Sequence, residues 1–331
     1  MLAALGQGLK ATARSWGLVA LLLAVNVAVA ALLAVPLAVT LETDLAKTDS
    51  ASGMLYGADY PWWSRWLDSH GGYEASFSPD ILGAGFAFKN VDLLLEGWLP
   101  AGLLVASDRD AAEAEANPGP GALILGVGVL YLLVQTFLLG GVLGVFRGQQ
   151  GSWTARGLLH GSGFYFGRLF RVALIALAVD WILFLLNAPL ARWADKRALE
   201  AVSETTALAW SFSRHALLLL AVLCVNMISC YAKVIVVLEE RSSAVLAFLS
   251  SLAFCLGNLA RTLGHYLAVA LLGVLLLGAF VTIEGLFITT GYKTQLVALA
   301  LAQGLVFGRI GLRLALLAGQ MALYRGATRD A

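Results

Sequence analysis

The stretch GALILGVGVLYLLVQTFLLGGVLGVF, residues 121–146, runs for twenty-six residues without a charge and stops at Arg147. A helix of that length reaches ~39 Å at 1.5 Å per residue, enough to cross the ~30 Å hydrocarbon core of a bilayer. Working outward from it, further apolar runs occupy 16–39, 172–190, 215–238, 263–287 and 292–317. Across the chain 60% of residues are hydrophobic and 13% charged, about half the charged share of an ordinary soluble domain. The fold class that follows is all-α: a polytopic membrane bundle of six transmembrane helices, with amphipathic elbow helices and a small extracytoplasmic cap. The first run follows Lys10 and Arg14. Its apolar length exceeds the roughly 7–15 residues of a cleaved signal, so it is expected to be a retained span.

The net charge of +1 conceals an asymmetry that bears on topology. Residues 41–117 hold thirteen acids against Lys47, Arg65, Lys89 and Arg109, whereas 147–171 hold four arginines and no acid. Lys and Arg gather on the cytoplasmic side of a membrane. Lys10, Arg147, Arg241 and Arg325 are therefore expected inside with both termini, and the acidic segment outside, in a bacterial inner membrane. The connection RWADKRALEAVSETTALAWSFSR (192–214), which would lie outside, fits this least, with four basic residues. The near-neutral whole-chain balance gives no reason to read nucleic-acid binding. Three regions result: an N-terminal elbow and first span (1–40), an acidic cap loop (41–120), and the five-helix remainder (121–331). Within the cap, YGADYPWWSRWLDSHGG mixes aromatics with turn residues, and FKNVDLLLEGWLPAGLLVA (88–106) reads as an interfacial helix because three charges interrupt its apolar residues.

Three segments share an order of amphipathic stretch, arginine, then span: LGQGLKATARSWGLVALLLA, LLHGSGFYFGRLFRVALIALA and FLSSLAFCLGNLARTLGHYLAVALL. They divide the chain into elbow-plus-hairpin units at 1–146, 147–238 and 239–331, a weak internal symmetry of the kind transport folds carry. The pattern predicts that 164–171 and 247–261 are short elbow helices on the cytoplasmic side, distinct from the spans that follow.

VVLEERSSAVLAFLSSLAFCLGNLARTLGHYL (236–267), together with FLLGGVLGVF (137–146), resembles segments of bacterial six-helix families of unknown biochemistry. These are the YciC-like proteins and the membrane domain attached to some glycerophosphodiester phosphodiesterases. The resemblance covers about the last two-thirds of the chain. It implies six helices in a bacterial inner membrane and brings no catalytic residues.

Enzyme signatures such as GxSxG, HExxH and the P-loop do not occur, and the four histidines are scattered. No cofactor is implied. The cap acids lack EF-hand spacing and no Cys/His pattern suits a metal. Cys224, Cys230 and Cys255 read as buried thiols. The glycine pairs Gly140/Gly144 and Gly304/Gly308 have the spacing that lets helix backbones approach closely. Lys233 and Glu284 read as snorkelling side chains near opposite surfaces.

Two groups of charges are candidate sites. Glu239, Glu240 and Arg241, with Arg261, form a candidate salt-bridge latch on the cytoplasmic side. Asp180 in LIALAVDWILFLL, and Arg309 and Arg313 in LVFGRIGLRLALL, form a candidate intramembrane charge cluster. A carboxylate in mid-bilayer costs several kcal/mol unless paired or protonated, so Asp180 is expected to neutralise one arginine. Gln295, Arg309, Arg313, Gln320 and Tyr324 fall on one helical stripe that should face the bundle. Alternatively, span six ends near Gly308 and both arginines are interfacial.

Three functions fit. The first is a non-enzymatic scaffold or subunit of an envelope complex, with membrane lipids and protein partners around it. The second is a transporter or permease subunit for a lipid or anionic solute, driven by a partner ATPase or an ion gradient where transport is active. The third is a membrane-embedded lipid enzyme. A closed Asp–Arg pair in a dry core would favour the scaffold, and a continuous polar stripe through the bundle the transporter.

Overall fold

The computed structural model describes residues 2–48, 59–70, 121–148, 153–286 and 291–329. Among these there are nine helices and no strand: α1 (Leu2–Arg14), α2 (Trp16–Leu45), α3 (Tyr60–Ser69), α4 (Gly121–Gly148), α5 (Ala155–Leu199), α6 (Glu204–Leu238), α7 (Ala244–Gly257), α8 (Leu259–Gly285) and α9 (Tyr292–Arg329). Six of them, α2, α4, α5, α6, α8 and α9, are long and apolar enough to cross a membrane. The protein is thus an all-α, multi-pass membrane bundle. The interfacial helix expected at 88–106 lies outside the described residues.

Two of the three expected elbows are separate helices. A break at Ser15 divides α1 from α2, and one at Asn258 divides α7 from α8. Both are short polar residues that compete for backbone hydrogen bonds and so interrupt helices. The third elbow is corrected: 164–171 lies inside α5, which is continuous for 45 residues, ~68 Å at 1.5 Å per residue. No Ser, Thr, Asn or Asp occurs between 163 and 179 to end a helix there. The capping residue sits earlier, at Thr154, whose hydroxyl accepts from the Gly157 amide at 3.1 Å. In the last unit, Arg261 falls within the span rather than the elbow.

The core sits at one end of the bundle, where Leu18, Leu143, Leu158, Leu169, Val172 and Ile235 are sealed from solvent. Close helix approach builds it. At Gly141 an added Cβ would stand 2.4 Å from the Leu158 carbonyl oxygen and 2.5 Å from the Ser162 hydroxyl, so α4 and α5 meet backbone to backbone. At Gly8 it would stand 2.2 Å from the Ala315 carbonyl oxygen, pressing α1 onto α9. Gly140 packs as expected, against Gly161 and Tyr165. Gly304 does not, since nothing approaches it within 4 Å; only Gly308 of that pair meets a neighbour, the Leu276 side chain. Away from this end, Leu174, Leu177, Leu185, Leu271 and Leu275 are exposed, as side chains facing lipid are.

At the far end of α2, the tryptophans of α3 cluster on Leu37, with Leu41 and Leu45 packed alongside. Asp44 joins the two helices: its carboxylate accepts from Trp66 Nε1 at 3.1 Å and from Lys47 Nζ at 2.8 Å, and lies 3.0 Å from His70 Nε2. This small tryptophan knot is the described part of the cap.

Candidate anion site and the latch at the bundle end

The polar residues expected as a latch do assemble, through helices that the chain order separates. Arg147, in the last turn of α4, pairs with Glu240 and donates to the Tyr165 hydroxyl of α5 at 2.6 Å. Arg168 of α5 donates to the Glu240 carbonyl at 3.0 Å. Glu239 accepts from Arg241 and from the Tyr324 hydroxyl of α9, and Arg241 donates to Ser250 of α7 at 2.6 Å. Arg325 closes the ring, donating to the Arg147 carbonyl at 2.9 Å. Glu240 takes a left-handed φ of 54°, which costs a residue with a Cβ about 1–2 kcal/mol. The two arginines from α4 and α5 hold that turn in place. Arg261 is corrected: it lies exposed on α8 and takes no part in these contacts. Arg147, Tyr165, Arg168, Tyr324 and Arg325 are the members that sequence spacing did not bring together.

The latch supplies a common level from which depth can be measured. Gln135 lies twelve residues from Arg147, and Arg313 twelve residues from Arg325, so both stand ~18 Å into the bundle. Asp180, twelve residues beyond Arg168, stands at about the same depth. Helix α9 runs unbroken through Gly308 to Arg329, so the helix does not end near Gly308 and both arginines lie on its continuous length.

The expected Asp180 pairing is corrected as well. Among the described residues no cation lies within ion-pair distance of Asp180, and the charge whose field reaches it is Lys233 of α6. The reason is lateral. Helix α5 packs mainly on α4 and α6, whereas α9 packs mainly on α1, α8 and α2 and touches α4 and α6 only lightly. Equal depth did not make these residues neighbours.

Arg309 and Arg313 instead line a cavity of about 560 Å³ walled by α2, α4 and α9. Both are exposed. Asn26 and Ala30 face them from α2, and Tyr131 and Gln135 from α4. Gln135 donates to the Asn26 side-chain oxygen at 2.6 Å, which pins the two amides to the wall. The rest of the lining is aliphatic, including Leu22, Val142, Ile310 and Leu314. Among the described residues no carboxylate, histidine or thiol lines it. Two cations one helical turn apart thus share this cavity with amide and phenol groups, and its described lining holds no negative charge. Asn26 and Gln135 were legible as the lone amides of otherwise apolar spans, a signal that marks polar sites in membranes; their mutual contact was not.

Among the described residues no three His, Cys, Asp or Glu side chains converge on a metal position. His265 is fully buried, with Nε2 3.4 Å from the Leu316 carbonyl, so it reads as a hydrogen-bonded core histidine. Gln320 is fully buried and neither of its amide atoms makes a hydrogen bond. No protein family, curated protein or solved structure matches the chain.

Proposed function

We propose that this protein is a transporter or permease subunit of a bacterial inner membrane that binds an anionic lipid or solute between α2, α4 and α9. The observation that carries the reading is the pair Arg309 and Arg313 lining one cavity without a carboxylate among its described walls. A guanidinium left without a counter-ion there is costly, and a bound anion offsets the cost. The closed Asp–Arg pair that would have favoured a scaffold is not formed: Asp180 lies in the field of Lys233 of α6 instead. Both termini and the latch belong to the cytoplasmic side in this reading, and the tryptophan knot to the outside, on the strength of the charge asymmetry.

The test is retention of anionic phospholipid. The purified protein, delipidated in detergent and exposed to phosphatidylglycerol or phosphatidylcholine, should keep the anionic lipid selectively by native mass spectrometry. The double variant Arg309→Gln/Arg313→Gln should lose that selectivity; equal retention by both proteins overturns the reading. For orientation, an impermeant maleimide outside intact cells should label Ser64→Cys and miss Gly326→Cys.

A further inference from the structure

We infer that the ligand of this cavity is dianionic: an amphiphile whose headgroup is a phosphate monoester. The inference rests on the proposed anion site and narrows its chemistry. Arg309 and Arg313 stand one helical turn apart on α9 and both line the cavity, so two positive charges face one space. A phosphodiester headgroup brings a single negative charge and leaves one guanidinium uncompensated in a medium of low polarity, where an unbalanced charge is expensive. A phosphate monoester carries nearly two negative charges above its second pKa of about 6, and presents three acceptor oxygens. Two planar guanidinium forks match those oxygens with paired N–H donors.

The walls say what else the ligand carries. Nearly two-thirds of the lining is aliphatic, from Leu22 on α2 to Leu314 on α9. A small hydrophilic phosphate would leave that surface wet, whereas an amphiphile covers it. The cavity volume, about 560 Å³, is within the ~300–1,000 Å³ of small-molecule sites. It holds a headgroup and the first part of a tail, and the remainder of the tail is left to the surrounding lipid. Among the described residues no histidine, carboxylate or thiol lines the space, so between pH 5 and 8 the group that titrates is the phosphate of the ligand.

The experiment is a titration of the delipidated, unsubstituted protein with dioleoyl phosphatidic acid, dioleoyl phosphatidylglycerol and inorganic phosphate, at pH 8 and pH 5. Phosphatidic acid should bind about tenfold more tightly than phosphatidylglycerol at pH 8, the second charge being the difference. At pH 5 the preference should shrink to about threefold or less as the monoester takes up its second proton. Arg309→Gln and Arg313→Gln, taken singly, should each abolish the preference while keeping some anion binding. Inorganic phosphate should fail to displace the lipid. Equal affinity for both lipids at pH 8, with binding still dependent on the arginines, overturns the dianion inference and leaves the anion site standing. Binding of neither lipid in an arginine-dependent way overturns both. Displacement by millimolar phosphate makes the ligand a soluble phosphate and overturns the lipid assignment. The comparison of lipids needs no variant, so it stands even where a substitution impairs folding.

Discussion

Gln135 of α4 and Asn26 of α2, 109 residues apart, hydrogen-bond side chain to side chain at 2.6 Å. The contact forms one wall of the cavity and joins two spans that the acidic cap loop separates in sequence. Interhelical hydrogen bonds in membranes average about 0.6 kcal/mol and reach about 1.7. Gln135→Leu should lower stability by about that much, and Gln135→Leu/Asn26→Leu by less than the sum of the single changes. Equilibrium unfolding in mixed micelles measures the cycle, and strict additivity would remove the contact.

Gly141 predicts a steric asymmetry among the glycines of α4. Gly141→Ala forces a methyl group onto the Leu158 carbonyl oxygen, which backbone cannot yield cheaply. The cost should be about 1–3 kcal/mol, the range for overpacking. Gly126→Ala meets nothing within 4 Å and should be neutral or slightly stabilising, because alanine favours helix. A detergent thermal-shift assay separates the two.

The latch pairs are partly exposed, Arg147 at 35% and Glu240 at 51% of the side chain, so their direct coupling should be modest. A double-mutant cycle of Arg147→Gln and Glu240→Gln should give about 0.5 kcal/mol at low salt, lost in 1 M salt where the screening length is about 3 Å. Tyr324→Phe should cost more, about 1 kcal/mol, because Tyr324 is buried and its hydroxyl donates to Glu239.

Gln320 should be dispensable for folding. Its amide is buried and makes no hydrogen bond, and such atoms cost about 1–3 kcal/mol. Gln320→Met, similar in volume, should therefore raise the melting temperature. A lower melting temperature would mean that the amide has a partner in the folded protein.

Cys255 in α7 should be sluggish towards alkylation. Burial pushes its thiol up to about 11, so at pH 7.5 only about one molecule in three thousand carries the reactive thiolate. In a Cys224→Ser/Cys230→Ser background, labelling by N-ethylmaleimide should be slow at neutral pH and keep rising past pH 9. After denaturation in dodecyl sulfate it should be fast, and rapid native labelling at pH 7 contradicts the burial.

The chain sequence alone determined the six spans and the elbows at α1 and α7, and it singled out Asp180 and the arginine pair as charges within apolar runs. These are local quantities. Rise per residue is set by backbone hydrogen bonds within one helix, so a residue count gives a distance along that helix, but the contacts that put Arg147, Arg168 and Arg325 on one level are tertiary. Even the failed elbow at 164–171 has a local cause in the missing helix-ending residue. The tertiary structure decided who stands beside whom at that level. Asp180 faces towards α6 while the arginines face Asn26 and Gln135, because contacts such as Gly141 on Leu158 and Gly8 on Ala315 set the lateral order of the helices. Those fits join residues far apart in the chain and carry no periodic signature, so no reading of a single span contains them.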